Sequence, residues 1–193
     1  MRLMMPTEGY ALFPTAIGHC AVAWGAHGLT GVQLPEANEA ATRARMARRF
    51  AHWREAPAPP PVQAAMRAVV ALLDGRPDDP ADLSDIVLDM RGVPPFHQRV
   101  YALARRIAPG ETLTYGEVAR QLGEPGAARA VGQALGANPF APVVPCHRVL
   151  AAHNRAGGFS ANGGIDTKLR LLLIERARFN GPGLFDEAPA PRR

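Results

Sequence analysis

A glycine–proline break at residues 92–95 divides this chain into two parts with different sequence patterns. Closely spaced glycine and proline interrupt regular structure, and the residue before a proline is driven out of the helical conformation. A chain of 193 residues is long enough for two small domains. We therefore predict an α/β domain over residues 8–91, a mostly helical domain over residues 94–180 and a disordered tail over residues 181–193.

The first part has the pattern of a small antiparallel sheet with helices. Between Tyr10 and Leu34, short apolar runs alternate with glycines, which predicts two or three antiparallel strands joined by tight turns. Residues 36–53 and 62–73 contain neither glycine nor proline and predict two helices. Residues 85–90 predict one more strand. This part of the sequence carries no catalytic pattern of its own.

The second part has the spacing of short helices. Apolar residues recur at helical intervals between residues 96 and 107. Thr114 is placed to cap a helix over residues 115–122, with Glu117 at the capping-box position. A glycine turn separates it from an alanine-rich helix over residues 127–135, so the two predict a helix–turn–helix unit. The remaining sequence predicts an extended segment over 138–148, a glycine-rich loop over 157–164 and a final helix over 167–178.

Positive charge is concentrated in the second part. Residues 1–93 carry 9 basic and 10 acidic side chains, whereas residues 94–182 carry 11 basic and 5 acidic ones. Arg129, near the start of the 127–135 helix, lies where recognition helices contact nucleic acid. This distribution favours a partner with phosphates, while a solvated basic surface and an alanine-rich core helix are the alternatives. All basic residues except Lys168 are arginine, which we attribute in part to genomic base composition.

A thiol adjoins an imidazole in the segment Pro145-Cys146-His147-Arg148. A cysteine becomes a nucleophile when a nearby base or positive charge favours the thiolate, and His147 and Arg148 are adjacent candidates for that role. A Cys-His pair alone is a weak indication, since free cysteine mostly packs as a small hydrophobic residue. Cys146 is therefore a candidate nucleophile whose meaning depends on the surrounding motifs.

Cysteine usage predicts a reducing, cytoplasmic setting. The two cysteines are 126 positions apart and do not have the spacing of a disulfide framework. His19, Cys20 and His27 would make a poor zinc site in a strand–turn region, so we expect no metal. Nowhere does the sequence contain the run of about eighteen apolar residues that a membrane span needs, so no membrane partner is expected.

Seven motifs follow one another along the chain. They are Phe96-x-x-x-Val100-Tyr101, Thr114-Tyr115-Gly116-Glu117-Val118-Ala119, Ala127-Ala128-Arg129-Ala130-Val131-Gly132, Ala137-Asn138-Pro139, Val144-Pro145-Cys146-His147-Arg148-Val149, the loop over 157–164, and Leu172-Leu173-Ile174-Glu175. In this order they resemble the O6-alkylguanine-DNA alkyltransferases, also called methylated-DNA–protein-cysteine methyltransferases. Cys146 stands where the related alkyltransferase-like proteins carry tryptophan, which favours a transferase over a lesion sensor.

The resemblance implies a ribonuclease-H-like α/β domain, with a small antiparallel sheet and helices, followed by a mostly helical domain with a winged helix–turn–helix. It implies that Cys146 accepts the alkyl group. His147, linked to Cys146 through a water and oriented by Glu175, would complete the catalytic set, and Asn138 would brace the active-site turn. The implied partner is double-stranded DNA containing O6-alkylguanine, bound by a monomer, with cooperative binding left open.

Further site residues follow from their positions in the matched motifs. The implied substrate-binding residues are Tyr115, Val149, Phe159 and Ser160. The implied DNA-binding residues are Thr114, Ala128, Arg129, Gly132 and Leu135, with Arg129 filling the gap left by an extruded nucleotide. The loop departs from the family's usual Gly-Tyr-Ser-Gly-Gly, because Phe159 replaces the tyrosine and two residues are inserted before the paired glycines. The range of accepted alkyl groups is therefore open.

The implied reaction is a displacement by the Cys146 thiolate at the carbon bonded to the guanine oxygen. An ordinary thiol is only about a few per cent ionised at neutral pH, so a relay through His147 and Glu175 is expected to raise that fraction. The thioether product has no good leaving group, which predicts one turnover per molecule and no cofactor. Two other classes stay open: a lesion sensor with a vestigial cysteine, and a hydrolase built on Cys146, His147 and Asn138.

Overall fold

The computed structural model of the protein describes residues 8–75 and 83–179. Its strands are β1 (Gly9–Thr15), β2 (Gly18–Gly25), β3 (Gly28–Gln33), β4 (Leu113–Thr114) and β5 (Val149–Leu150). Its α-helices are α1 (Glu39–Arg49), α2 (Pro60–Leu73), α3 (Pro95–Ala104), α4 (Tyr115–Gln121), α5 (Ala128–Gly136) and α6 (Gly164–Ile174). Two 3-10 turns span Cys146–Arg148 and Ala152–Asn154. The predicted tail over residues 181–193 lies outside the described residues.

The first three strands form an antiparallel sheet in the order β1–β2–β3, which confirms the strands predicted between Tyr10 and Leu34. Successive residues of a strand face opposite sides, and here both sides are covered by helices. Val22 and Trp24 pack in one cluster with α2, whereas Ala21 and Ala23 pack with Met46 of α1. The sheet therefore lies between α1 and α2.

The strand predicted over residues 85–90 is not formed. Leu88 makes only an isolated parallel bridge with Leu29, through hydrogen bonds from Leu29 N–H to Val87 O at 2.9 Å and from Asp89 N–H to Leu29 O at 2.7 Å. Beyond this point the Asp89 carboxylate binds the backbone and guanidinium of Arg91, which turns the chain away from the sheet. The apolar pattern reflects one point of contact along the edge of β3.

The second part forms a helical cluster whose core includes residues from α3, α4 and α5. The predicted capping box at the start of α4 is confirmed, because Thr114 Oγ1 accepts from Glu117 N–H and Glu117 Oε2 accepts from Thr114 N–H. Loss of such a cap costs about 1 kcal/mol of stability. The connection from α4 to α5 is a short turn, so the two helices meet as the sequence predicts.

Helix α6 begins at Gly164 and ends at Ile174, earlier at both ends than the predicted 167–178 span. Its buried residues are Lys168, Leu171 and Leu172. Leu173 of this helix is 56% exposed. Every described helix is too short or too polar to span a bilayer.

Candidate active site

The segment that carries Cys146 is compact, and the prediction of an extended chain over 138–148 was wrong. Asn138 explains the difference, because its Nδ2 donates to Val144 O at 2.8 Å and its Oδ1 accepts from Phe140 N–H at 3.0 Å. These two bonds close a turn whose end passes directly into the 3-10 turn at Cys146. The structure thus places Asn138 as the brace of this turn, which is the position that the resemblance implies.

The Cys146 side chain is almost fully enclosed, with 6% of the residue exposed. Burial raises the pKa of the Cys146 thiol, and hydrogen bonding by Asn138 together with the charge of Lys168 offsets only part of that rise. The thiol is therefore neutral in the resting protein. This corrects the expectation of an increased thiolate fraction: a base must remove the proton when the sulfur reacts.

His147 and Glu175 form a buried pair, with Nε2 and Oε1 2.8 Å apart. Burial lowers the pKa of His147, so the ring is neutral, although the Glu175 carboxylate opposes that shift. An anionic carboxylate can only accept, so Nε2 carries the ring proton and Nδ1 keeps its lone pair. The structure gives Nδ1 no hydrogen-bond partner among the described residues. His147 is thus a neutral ring with an unengaged lone pair, in the residue that follows Cys146.

Arg148 has a function that the sequence did not reveal. Its Nε and Nη2 contact both oxygens of Glu175 at 2.8 Å, and its Nη1 donates to Ile107 O at 2.6 Å. Burial would raise the pKa of Glu175, but hydrogen bonds from His147 and Arg148 outweigh it and lower that pKa to about 2. Arg148 therefore binds the Glu175 carboxylate, whereas the sequence made it a candidate for acting on the thiol directly.

Lys168 is a second charged residue that sequence reasoning missed. It is fully buried, its Nζ donates to Val149 O at 2.6 Å, and it lies 5.8 Å from the centre of the Tyr115 ring. Burial lowers the pKa of Lys168 to about 8, while the electrostatic interaction with Cys146 acts to raise it. The available signal was that Lys168 is the only lysine in a chain whose other basic residues are all arginine.

The implied substrate-binding residues are only partly brought together. Tyr115 is half-buried, and burial followed by the proximity of Cys146 raises the pKa of its hydroxyl. Val149 and Phe159 pack in the same cluster as Cys146, Val149 fully buried and Phe159 at its margin. Ser160 is exposed. Tyr115, Val149 and Phe159 thus pack in the cluster that contains Cys146, while Ser160 is exposed on the loop.

Some of the implied DNA-binding residues are accessible at the surface, and others are not. Arg129 is exposed at the start of α5, with Ala128 and Gly132 partly accessible beside it. The Thr114 hydroxyl is engaged in the α4 capping box. The assignment of Leu135 to a DNA-facing surface is corrected, because this residue is 4% exposed and packs in the helical core.

Within residues 8–75 and 83–179, no group of three or more metal-ligating side chains converges on one point. His19 pairs with Glu39 at 3.3 Å. Cys20 is buried against Thr15, and burial raises the pKa of this thiol to about 12. His19 and Cys20, two of the residues considered as zinc ligands, thus each contact a different partner.

The raised pKa of Cys146 predicts how its reactivity depends on pH. Thiolate forms as pH rises through the thiol's elevated pKa, so alkylation by iodoacetamide should keep accelerating above neutral pH. Lys168→Met removes a charge that lowers this pKa and should move the curve to still higher pH. Mass spectrometry of the Cys146 peptide would measure the rate, with Cys20 as an unreactive internal control. A rate that levels off below pH 7 would contradict this assignment.

Comparison with known proteins gives this geometry a context. Residues 95–177 match the family model described as the 6-O-methylguanine DNA methyltransferase, DNA binding domain. The methylated-DNA–protein-cysteine methyltransferase of Mycolicibacterium paratuberculosis is 53% identical over 92 residues, which are 48% of this chain and 54% of that protein. The bifunctional transcriptional activator/DNA repair enzyme Ada of Escherichia coli is 35% identical over 166 residues, 86% of this chain and 45% of Ada. The chain thus spans about half the length of these curated relatives.

Solved structures extend the likeness over both parts of the chain. The crystal structure of Mycobacterium tuberculosis OGT in complex with DNA superposes with a TM-score of 0.70 at 36% sequence identity. That match covers 87% of this chain and 92% of the OGT chain, so it includes the small antiparallel sheet as well as the helices. With the Cys146, His147 and Glu175 arrangement in place, we conclude that the chain belongs to the O6-methylguanine-DNA methyltransferase family.

Proposed function

We propose that this protein repairs DNA by direct reversal, transferring an alkyl group from O6 of guanine to the sulfur of Cys146 in a single turnover. The observation that carries the proposal is the buried Cys146 thiol beside a neutral histidine whose Nε2 is held by Glu175 at 2.8 Å. The names of the relatives agree with it, since they describe methyl transfer from DNA to a protein cysteine. The partner is double-stranded DNA containing O6-alkylguanine.

The proton and electron balance of the reaction is simple. His147 Nδ1 takes the thiol proton, directly or through one water molecule, and the resulting imidazolium is stabilised by the Glu175 carboxylate. The Cys146 sulfur then attacks the methyl carbon as the carbon–O6 bond breaks. The electron pair of that bond goes to the guanine, which stays in the DNA strand and takes up one proton, matching the proton that His147 removed from the thiol. Cys146 becomes S-methylcysteine, and no cofactor enters the reaction.

Charge develops on the guanine oxygen as the bond breaks, so the site needs a donor there. The Tyr115 hydroxyl and the Ser160 backbone N–H are our candidates, and preorganised donors of this kind contribute about 3 kcal/mol each at the barrier. Lys168 supports this side of the site, because its ammonium is 5.8 Å from the Tyr115 ring centre. Phe159 supplies an apolar wall, and its missing hydroxyl bears on which alkyl groups fit.

The buried position of Cys146 requires the damaged base to leave the helix. Base flipping costs a few kcal/mol, and a side chain inserted into the stack offsets part of that cost. Arg129 is exposed at the start of α5 beside the small residues Ala128 and Gly132, which allow the helix to approach a duplex closely. We assign Arg129 to the gap, with Thr114 near the backbone at the start of α4.

We also propose a fold type for each of the two domains, from the arrangement of their strands and helices. The antiparallel sheet flanked by α1 and α2 supports a ribonuclease-H-like domain over residues 8–91. Helices α4 and α5, with the paired strands β4 and β5, support a winged helix–turn–helix in a domain over residues 94–180. The two cysteines of the chain are buried and not paired with each other, which supports a reducing, cytoplasmic setting.

Stoichiometry tests the proposed function. Incubation with DNA containing one O6-methylguanine should add a single methyl group to each protein molecule, located by mass spectrometry on the peptide that holds Cys146. Turnover should stop after one equivalent of DNA, because a thioether has no good leaving group. Repeated turnover, or restored guanine without a protein adduct, would overturn the proposal.

Arg129→Ala tests the flipping step separately. We expect repair of O6-methylguanine in duplex DNA to slow by about tenfold or more, the equivalent of roughly 1.4 kcal/mol. Transfer from free O6-benzylguanine needs no flipping and should change little. Arg67→Ala, an exposed arginine of α2, is the charge-matched control. Equal losses on both substrates would reject the proposed function of Arg129.

The hydrolase alternative loses its geometric basis. Asn138 is engaged with Val144 O and Phe140 N–H, and His147 is engaged with Glu175. The Cys146, His147 and Asn138 side chains are therefore not linked in the order that a Cys-His-Asn hydrolase needs. The lesion-sensor alternative requires no nucleophile, and the complete set of Cys146, His147 and Glu175 favours transfer.

A further inference from the structure

We propose that Arg49, at the end of α1, is a positioning residue that holds the Cys146 turn from outside the second part of the chain. The inference rests on the proposed function, because it gives the sheet and its helix a part in the same reaction. It concerns one carbonyl group, that of Pro139, which lies between Asn138 and Phe140.

The Pro139 carbonyl is held by two donors from the first part of the chain. Val32 N–H, on the outer edge of β3, donates to it at 2.9 Å. Arg49 Nη2 donates to the same oxygen at 3.1 Å, across 90 residues of sequence. A backbone oxygen with both lone pairs engaged is fixed in direction. The peptide that follows Asn138 is thereby attached to the sheet.

Gly31 supplies the space that this contact needs. A Cβ built on Gly31 would lie 2.7 Å from Arg49 Nη2 and 2.8 Å from the Phe50 ring, closer than real side chains approach. The Arg49 guanidinium therefore crosses β3 at a position that has no side chain. Glycine weakens a strand interior, so its presence here is explained by the close approach of another group.

The link from Arg49 to the sulfur has two steps. Pro139 is directly followed by Phe140, whose N–H donates to Asn138 Oδ1, and Asn138 Nδ2 binds Val144 O two residues before Cys146. Asn138 also lies close enough to the Cys146 thiol to lower its pKa. Without Arg49 the Pro139 carbonyl keeps only the Val32 N–H, which loosens the peptide on which Asn138 is oriented. The thiol would then lose alignment while DNA contacts on α5 stay in place.

Four variants separate this function from general stability. Arg49→Met removes both the charge and the donors, whereas Arg49→Lys keeps the charge and one donor. Gly31→Ala leaves Arg49 intact but displaces its guanidinium from Pro139. Arg48→Met is the control, since Arg48 is the exposed neighbour on the same helix. Thermal unfolding of each variant establishes which ones keep the fold at the assay temperature.

The readouts are the maximal transfer rate, the dissociation constant for DNA, and the rate of Cys146 alkylation by iodoacetamide. Arg49→Met should lower the maximal transfer rate by about fivefold to tenfold, as expected for loss of one charged hydrogen bond, with the dissociation constant unchanged. Arg49→Lys should recover part of the rate, and Gly31→Ala should match Arg49→Met. The Gly31→Ala/Arg49→Met double variant should be no slower than either single variant, because both break the same contact.

Two results would overturn the proposal: an unchanged transfer rate in Arg49→Met, or a loss confined to DNA affinity, which would make Arg49 a phosphate contact. The proposed function fails in a different way, since the unaltered protein would then transfer no methyl group at all. In that event the iodoacetamide rate still tests Arg49. A changed rate in Arg49→Met and Gly31→Ala, with Arg48→Met unchanged, would support the positioning function without any alkyl transfer.

Discussion

Cys146→Ala should abolish alkyl transfer completely while DNA binding persists. Cys20, the other cysteine of the chain, cannot replace Cys146 as the nucleophile. It is buried in the sheet core, and burial raises its pKa to about 12. The substitution removes only a sulfur atom from the core, so we expect the fold to survive. Binding to O6-methylguanine DNA by fluorescence anisotropy and adduct formation by mass spectrometry would measure both properties in one sample.

Cys20→Ala is the matched control, since it removes the same atom from the other core. It should transfer one methyl group per molecule at the unaltered rate, with only a small loss of stability. Residual transfer by Cys146→Ala, or a methyl adduct on any other residue, would move the reaction away from this sulfur and remove the basis of the mechanism.

Glu175→Gln should have the second largest effect on alkyl transfer, because this carboxylate binds two buried partners. It accepts from His147 at 2.8 Å and from Arg148 at 2.8 Å, with 3% of its side chain exposed. The neutral amide leaves Arg148 as a buried charge without a counter-ion, which costs about 3–5 kcal/mol of folding free energy. It also removes the anion that stabilises the His147 imidazolium, so transfer should fall by about a hundredfold or more.

Glu175→Gln should also change how the stability of the protein depends on pH. The folded-state pKa of Glu175 is about 2, below the ordinary value of 4.5, so its contribution is complete above pH 4.5 and is lost as pH falls towards 2. Urea unfolding of the unaltered protein should show this loss between those two pH values, and Glu175→Gln should lack it. Glu124→Gln, in the exposed pair with Arg99, is the control and should cost less than about 1 kcal/mol. A Glu175→Gln variant as stable and as active as that control would disprove the assignment.

Local patterns in the sequence were sufficient for much of the fold. The glycine-spaced apolar runs gave the three antiparallel strands, and Thr114 with Glu117 gave the start of α4. The strands and the cap depend on hydrogen bonds and side-chain periods within a few residues, which a sequence displays directly. The pairing of His147 with Glu175, 28 residues apart, came only from the family resemblance, and their Nε2 and Oε1 atoms are 2.8 Å apart.

Features that depend on distant partners were missed or misplaced. Residues 85–90 had the apolar character of a strand, but only Leu88 reaches a neighbour on β3. Leu135 lies on the same helix as Arg129, and only the packing of α3 against α5 shows that it is buried. The contacts of Arg148 with Ile107 and of Arg49 with Pro139 join residues far apart in sequence, so no local pattern predicts them.

The burial of Lys168 determines which reagents can modify the surface of the folded protein. This residue is the only lysine in the sequence, and its ammonium is enclosed against the Val149 carbonyl. The folded protein therefore offers no lysine ε-amino group to solvent. Acylating reagents, amine cross-linkers and ubiquitin-conjugating enzymes that need such a group would find one only when the core around Lys168 opens.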